Sequence, residues 1–239
     1  MSTTPSTQPP TGRPLTESEV LEAVGDYPIY VDLFAGIGGV ARSLQRYPCA
    51  RPACDVIGID IDGSKAADYP GLFVEHDLTT GLPEFIDELE YIHLGWASPP
   101  CQFTTGVQYA RSGENRIPLA RSLLGDLPTE VTVLENVPEA REHLETPVQL
   151  CGGAFGLGVQ KHRVFETSFR AHGVACDHPA DGFPYCIGDR EHPVEGYREA
   201  HGFPRDAPIG AKELREAIPP AYVQALLDQY VRYAGTSIA

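Results

Sequence analysis

The sequence predicts an α/β protein: a doubly wound, mostly parallel sheet with a small irregular lobe toward its C-terminal end. The first observation is the run Ile29 to Phe34, short, apolar and rich in β-formers, which breaks into glycines at Gly36, Gly38 and Gly39 before the helix-compatible stretch VARSLQRY. That order reads as strand, tight loop, helix. The second is that the pattern repeats, each apolar run delivering a polar or special residue just past its end. Val56 to Ile59 leads to Asp60 and Asp62, and Leu72 to Val74 leads to Asp77. Tyr91 to Trp96 leads to Ser98-Pro99-Pro100-Cys101, and Val131 to Leu134 leads to Glu135-Asn136. Buried parallel strands read as unbroken apolar runs, and their carboxyl ends line the ligand crevice of such a sheet. The third is a change of texture from Leu150 onward, to Gly, Pro, His and aromatic residues, with regular helix expected again only at about Pro220 to Tyr233.

Taken in order, residues 1–15 are rich in Pro, Ser and Thr with almost no apolar content, and read as a disordered tail. Thr16 reads as an N-cap, with Glu19 completing a capping box for a short helix through about Val24. Residues 16–165 then carry the main domain, 166–210 the small lobe, and 211–239 a helix that returns to the main domain. At 239 residues and 42% hydrophobic content the chain is long enough for one such domain with an appended lobe. No run approaches the roughly 18 to 20 apolar residues needed to span a bilayer, and the first residues lack a signal-peptide profile. A monomeric cytoplasmic protein with no membrane partner is expected. Its six cysteines, Cys49, Cys54, Cys101, Cys151, Cys176 and Cys186, form no dense framework and read as free thiols.

The net charge is −15, which argues on its face against nucleic acid, whose phosphates call for Lys and Arg. The charge is unevenly spread. Residues 1–150 hold 9 basic and 22 acidic side chains, net −13, whereas residues 151–239 hold 9 and 11, net −2. The acidity thus lies away from the segment available for nucleic acid, and a merely well-solvated surface explains the rest.

The loop Asp32 to Gly39 puts glycines where a strand turns sharply into a helix, where a ligand can approach the backbone. Alone it is as consistent with a simple turn. Asp60, some twenty residues on, is placed to accept hydrogen bonds from ribose hydroxyls, and Asp77 to take an exocyclic amine. Three such features in strand order favour a nucleoside cofactor over solvated loop acids. Two prolines before Cys101 fix the backbone ahead of a thiol at the end of an apolar strand, which is how a thiolate would be held at the crevice.

Together these motifs resemble the DNA (cytosine-5) methyltransferase family, in order from about residue 29 to residue 230. The matching elements are Phe34 to Gly39, Asp60-Ile61, Asp77-Leu78, Pro100-Cys101-Gln102, Glu135-Asn136-Val137, Gln160-Lys161-His162-Arg163 and Ala217-Ile218-Pro219-Pro220. The chain looks most like the small bacteriophage members, on Gly-Ala-Phe-Gly-Leu-Gly and the basic-His-Arg run. The resemblance implies a Rossmann-like class I fold that binds S-adenosylmethionine, with a small target-recognition lobe and double-stranded DNA as partner. It implies Cys101, Glu135 and Arg163 as catalytic residues. It implies a cofactor site of Phe34, Ala35, Gly36, Gly38, Gly39, Asp60, Ile61, Asp77, Leu78, Pro100 and Ile218, and substrate contacts from Gln102, Asn136, Gln160 and His162.

Three positions depart from that pattern. Phe103-Thr104-Thr105 follows Gln102 at once, His162-Arg163 replaces two spaced arginines, and Arg215-Glu216 stands where the family carries Gly-Asn. A transfer-RNA cytosine-5 methyltransferase would share the architecture and motifs, although its Cys-Phe-Thr segment is not found here, and a silent DNA-binding homologue would share the fold. Cys176, His178, Cys186 and His192 can be read as a zinc site, but their irregular spacing is a weak ligand pattern, and loop residues with no metal are expected. His201 and Tyr197 read as packing or groove-facing residues.

Overall fold

The computed structural model describes residues 12–25, 28–44, 55–103, 113–185, 193–207 and 209–234. Its sheet contains β1 (Ile29–Leu33), β2 (Asp55–Asp60), β3 (Leu72–Glu75), β4 (Leu94–Ala97), β5 (Thr132–Asn136), β6 (Val148–Cys151) and β7 (His162–Thr167). The spatial order is β3-β2-β1-β4-β5-β7-β6, with β1 to β5 parallel and β7 antiparallel to both β5 and β6. The chain winds outward from β1 to β3, then restarts at β4 on the other side of β1. The β1/β4 boundary is therefore the topological switch point, outside which ligands bind in open α/β sheets.

Side chains alternate across the sheet as the pleat requires. Tyr30, Val56, Leu94, Trp96, Val133 and Phe165 face one cluster, which α2 (Gly39–Leu44) and α6 (Pro220–Ala234) cover with Val40, Ala41, Leu44, Tyr222, Val223 and Leu226. Val31, Leu33, Ile57, Ile59, Leu134 and Val164 face the other, covered by α1 (Glu17–Ala23) through Val20 and α3 (Ile117–Asp126) through Ile117, Ala120, Leu123 and Leu124. The doubly wound, mostly parallel sheet is thus the observed fold. A third cluster joins α4 (Val194–Ala200) and α5 (Ala211–Glu216) through Tyr197, Ala200, Phe203, Ile209 and Leu214.

The capping box forms with both halves present, Glu19 N donating to Thr16 Oγ1 and Thr16 N to Glu19 Oε2. Residues 1–11 of the expected tail lie outside the described residues, but Leu15 at its end is buried and its amide donates to Phe73 O at 2.8 Å. The expectation that regular helix returns only at about Pro220 does not hold, because α4 and α5 precede it. Both are short and take their stability from the third cluster rather than from their own periodicity. No helix among the described residues is long and apolar enough to cross a membrane.

Candidate active site

A cavity of about 800 Å³ opens at the carboxyl ends of β1, β2, β4 and β5, within the size range of small-molecule sites. On its β1 side the chain leaves the strand through Phe34, a non-glycine residue at φ 57°, and Gly36 at φ 56°. Left-handed backbone at Phe34 is strained, and strain of this kind clusters where a loop is shaped for a ligand. A side chain at Gly36 would meet nothing within 4 Å, so the backbone there faces open cavity. Gly39 is packed instead: a Cβ there would lie 3.0 Å from Ile218 N, which lets α2 and the segment before α6 close over the cavity.

Asp60 caps β2 and is buried, and it holds this loop. Gly36 N donates to its Oδ2 at 2.9 Å, while Asp62 N and Lys65 Nζ both reach its Oδ1 at 3.0 Å. A carboxylate offers about four lone-pair positions, so Oδ2 keeps accepting capacity toward the cavity. Beside it Ile61 is 64% exposed, one of two large apolar side chains left exposed among the described residues, and with Leu78 it gives the cavity an apolar wall. Asp77 accepts from Thr79 N at 2.9 Å, and that backbone donor holds its carboxyl below the usual carboxylate range.

On the other side β4 ends in Ser98-Pro99-Pro100-Cys101, which three hydrogen bonds secure. Ser98 N donates to Leu33 O at 3.2 Å, Trp96 Nε1 to Ser98 Oγ at 3.0 Å, and Asn136 Nδ2 to Pro99 O at 3.0 Å. Cys101 is half-buried in the cavity wall, and burial pushes its thiol up, opposed by the Arg163 guanidinium and reinforced by the Glu135 carboxylate. Glu135, at the end of β5, is buried against Arg163 of β7, whose Nε lies 2.8 Å from its Oε1. The contact is an ion pair off the N–H axis, so Oε1 has no aligned hydrogen-bond donor among the described residues. Burial raises the pKa of Glu135, against the pull of Arg163 and Lys161. The guanidinium is also tied by Nη2 to Arg215 O at 2.9 Å and by Nη1 to His162 O at 2.8 Å.

Lys161 was not foreseen as a site residue. It is fully buried, with Nζ donating to Leu214 O at 2.8 Å, Arg215 O at 3.1 Å and Ala217 O at 2.6 Å. Its three N–H groups thus close the carboxyl end of α5, which supplies Lys212, Glu213 and Glu216 to the cavity wall. Lys161→Met is expected to lower stability by about 1–3 kcal/mol, because three carbonyls lose their donors while a buried ammonium is removed. Urea denaturation would measure the loss, and amide hydrogen exchange should speed up over residues 211–217.

The cavity therefore gathers Cys101, Glu135 and Arg163, and with them Phe34, Ala35, Gly36, Gly39, Asp60, Ile61, Asp77, Leu78, Pro100, Gln102, Asn136 and Ile218. Three expected residues sit elsewhere. Gly38, at φ 81°, is closed off by Pro70 and Tyr69, whose atoms would lie 2.5 and 2.9 Å from a Cβ. Gln160 is exposed outside the cavity, and His162 turns away from it toward Cys176 and His178. Asn136 lines the wall, but its Nδ2 is given to Pro99 O and its Oδ1 accepts from Val137 N, so it clamps the cysteine loop rather than presenting a free amide. His201 and Tyr197 are buried outside the cavity, and burial holds His201 down at about 3. Residues the sequence reading left out, Asp32, Lys65 and Ser98 among them, also line the cavity. Asp32 carried a signal, since it opens the glycine loop.

This is a Rossmann-like α/β fold with its cavity at the switch point. Among solved structures it is similar to the Entamoeba histolytica methyltransferase EhMeth, with a TM-score of 0.59 and 12% identity over 87% of this chain and 99% of that one. It is also similar to the S. pombe Dnmt2 methyltransferase, with a TM-score of 0.55 and 14% identity over 87% of this chain and 100% of that one. At these identities the likeness is one of fold. No protein-family model and no curated protein matches the chain.

Proposed function

We propose that the protein transfers a methyl group from S-adenosylmethionine to carbon 5 of cytosine in DNA. The observation that carries this reading is the meeting, in one cavity, of the Cys101 thiol with a buried Glu135 carboxyl paired to Arg163 at 2.8 Å. The fit of the cofactor rests on the apolar wall of Ile61 and Leu78, the acids Asp60 and Asp77, and the open backbone at Gly36. S-adenosylmethionine would supply the methyl group on a sulfonium leaving group.

Carbon 5 of cytosine is a poor nucleophile. As thiolate, Cys101 adds to carbon 6, forming an S–C bond that makes carbon 5 enamine-like. In its protonated form, which burial favours, Glu135 donates at ring nitrogen 3 and accepts from the 4-amino group, spreading the charge that develops in the ring. Arg163 orients Glu135 and holds the 2-oxo group. Once carbon 5 is methylated, water takes its proton, the S–C bond breaks to release Cys101 as the thiolate, and the proton at nitrogen 3 returns to Glu135. The base must leave the duplex to reach this cavity, at a cost of a few kcal/mol. The lobe at 166–210 is the proposed reading surface, and a monomer on double-stranded DNA the proposed assembly.

The experiment is incubation with S-adenosylmethionine and duplex DNA carrying 5-fluorocytosine, from which carbon 5 cannot lose fluorine as it loses a proton. A denaturant-stable adduct mapped by mass spectrometry to Cys101 is the result expected. An adduct on fluorocytosine-substituted transfer RNA alone would move the substrate to RNA. Absence of an adduct on either, across varied sequences, would leave a binding protein and end the catalytic reading.

A further inference from the structure

We infer that Cys151, His162, Cys176 and His178 form a structural zinc site, which ties the segment after β7 to the β6–β7 pair. The two strands pair antiparallel with Cys151 directly opposite His162, so these side chains leave the same face of the sheet as neighbours. After β7 the chain returns beside β6. Val174 N donates to Gln149 O at 3.0 Å, and Asp177 O presses so closely on Gly153 that a Cβ there would fall 1.7 Å from it. That path lays Cys176 and His178 over the strand pair.

The four ligand atoms lie within 4.8 Å of one another. Cys151 Sγ is 3.3 Å from His178 Nε2, His162 Nε2 is 3.2 Å from Cys176 Sγ, and the two Nε2 atoms are 3.3 Å apart. Zinc held tetrahedrally at about 2.3 Å from sulfur and about 2.0 Å from nitrogen needs ligand–ligand edges of roughly 3.3–3.8 Å. His178 Nε2 lies within reach of both Cys151 Sγ and His162 Nε2, and a metal ion at their centre satisfies all four ligand atoms at once. Two thiol protons leave as the two Zn–S bonds form. Four protein ligands leave no open position, which marks a structural rather than a catalytic metal.

The segment it would fix needs such a tie. Residues 170–179 have no regular secondary structure, and most of their side chains are exposed. The set also differs from the expectation at 176–192: Cys176 and His178 belong to it, joined by Cys151 and His162, while Cys186 and His192 lie outside the described residues.

The test is metal analysis of the full, untagged chain, purified under reducing conditions and dialysed against metal-free buffer. One zinc per chain is expected, and replacing it with cobalt(II) should give the visible bands of a tetrahedral site with thiolate-to-cobalt charge transfer. Cys176→Ser and His178→Ala change exposed side chains, so the variants should fold. Each should bind zinc at least about tenfold more weakly, since even outer-shell changes cost that much. Folded wild-type protein without zinc or a cobalt spectrum would overturn the site, as would undiminished zinc in both variants or a mass showing a Cys151–Cys176 disulfide. No nucleic acid or methyl donor enters this assay, so its outcome is separate from that of the methyl-transfer reading.

Discussion

Glu135→Gln should make Cys101 more reactive toward a small alkylating agent while slowing methyl transfer by about 10²–10⁴-fold. The two effects diverge because Glu135 acts on Cys101 and on the base in opposite ways. Its carboxylate raises the pKa of the Cys101 thiol, so the neutral amide lets that pKa fall and the thiolate fraction at pH 7 rise. The amide cannot give up a proton at ring nitrogen 3 as a carboxylic acid can. The pH profile carries the same signature. The productive pair is thiolate with carboxylic acid, which holds one proton in total, as does the commoner pair of thiol with carboxylate. In the wild type the rate should therefore be level between the raised pKa of Glu135 and the raised pKa of Cys101, and should fall on either side. In the variant only the thiolate matters, so the rate should rise with pH through Cys101 and not fall again. Alkylation slowed in step with methyl transfer would mean that Glu135 merely supports the fold.

Trp96→Ala should cost about 3–5 kcal/mol, read by urea denaturation, because a large buried side chain leaves a cavity its neighbours cannot fill. Trp96 is 1% exposed, meets Phe165 edge-on at 6.0 Å between ring centroids, and donates from Nε1 to Ser98 Oγ. Trp96→Phe keeps most of the volume and loses the hydrogen bond, so about 1 kcal/mol is expected. The strand that holds Trp96 also delivers Cys101 five residues later, and both variants should lower methyl transfer more than their stability alone accounts for. A loss below about 1 kcal/mol for the alanine variant would contradict the packing described for this face of the sheet.

The parts of the fold legible in the sequence are those whose physics is local. Val56 to Ile59 and Leu72 to Val74 are buried on both faces, as is Val131 to Leu134 apart from the half-buried Thr132, so they read as apolar runs, and each stops where its carboxyl end meets the cavity. Thr16 and Glu19 announce a helix start for the same reason. Strand β6 and helices α4 and α5 gave no such signal. Val-Gln-Leu-Cys is half-buried and stable only once β7 lies beside it, and α5 presents Leu214 to a cluster assembled from distant segments. The role of Lys161 is likewise invisible before folding, since its acceptors lie more than fifty residues away. His162 was expected at the substrate on the resemblance, which matched the run Gln160 to Arg163, but neighbours on a strand face opposite ways.

That alternation along β7 bears on how the chain can vary over generations. Arg163 reaches Glu135 through one face of the sheet, and His162 meets Cys176 and His178 across the other. A slip of β7 by one residue against β5 would exchange the two, turning a histidine toward the carboxyl and an arginine toward the thiols. Selection acting on either cluster thereby protects the other. The odd and even positions of β7 must therefore keep their places, and with them Gly153 and Lys161 in the stretch before it, where backbone packing and three hydrogen bonds leave no room for exchange.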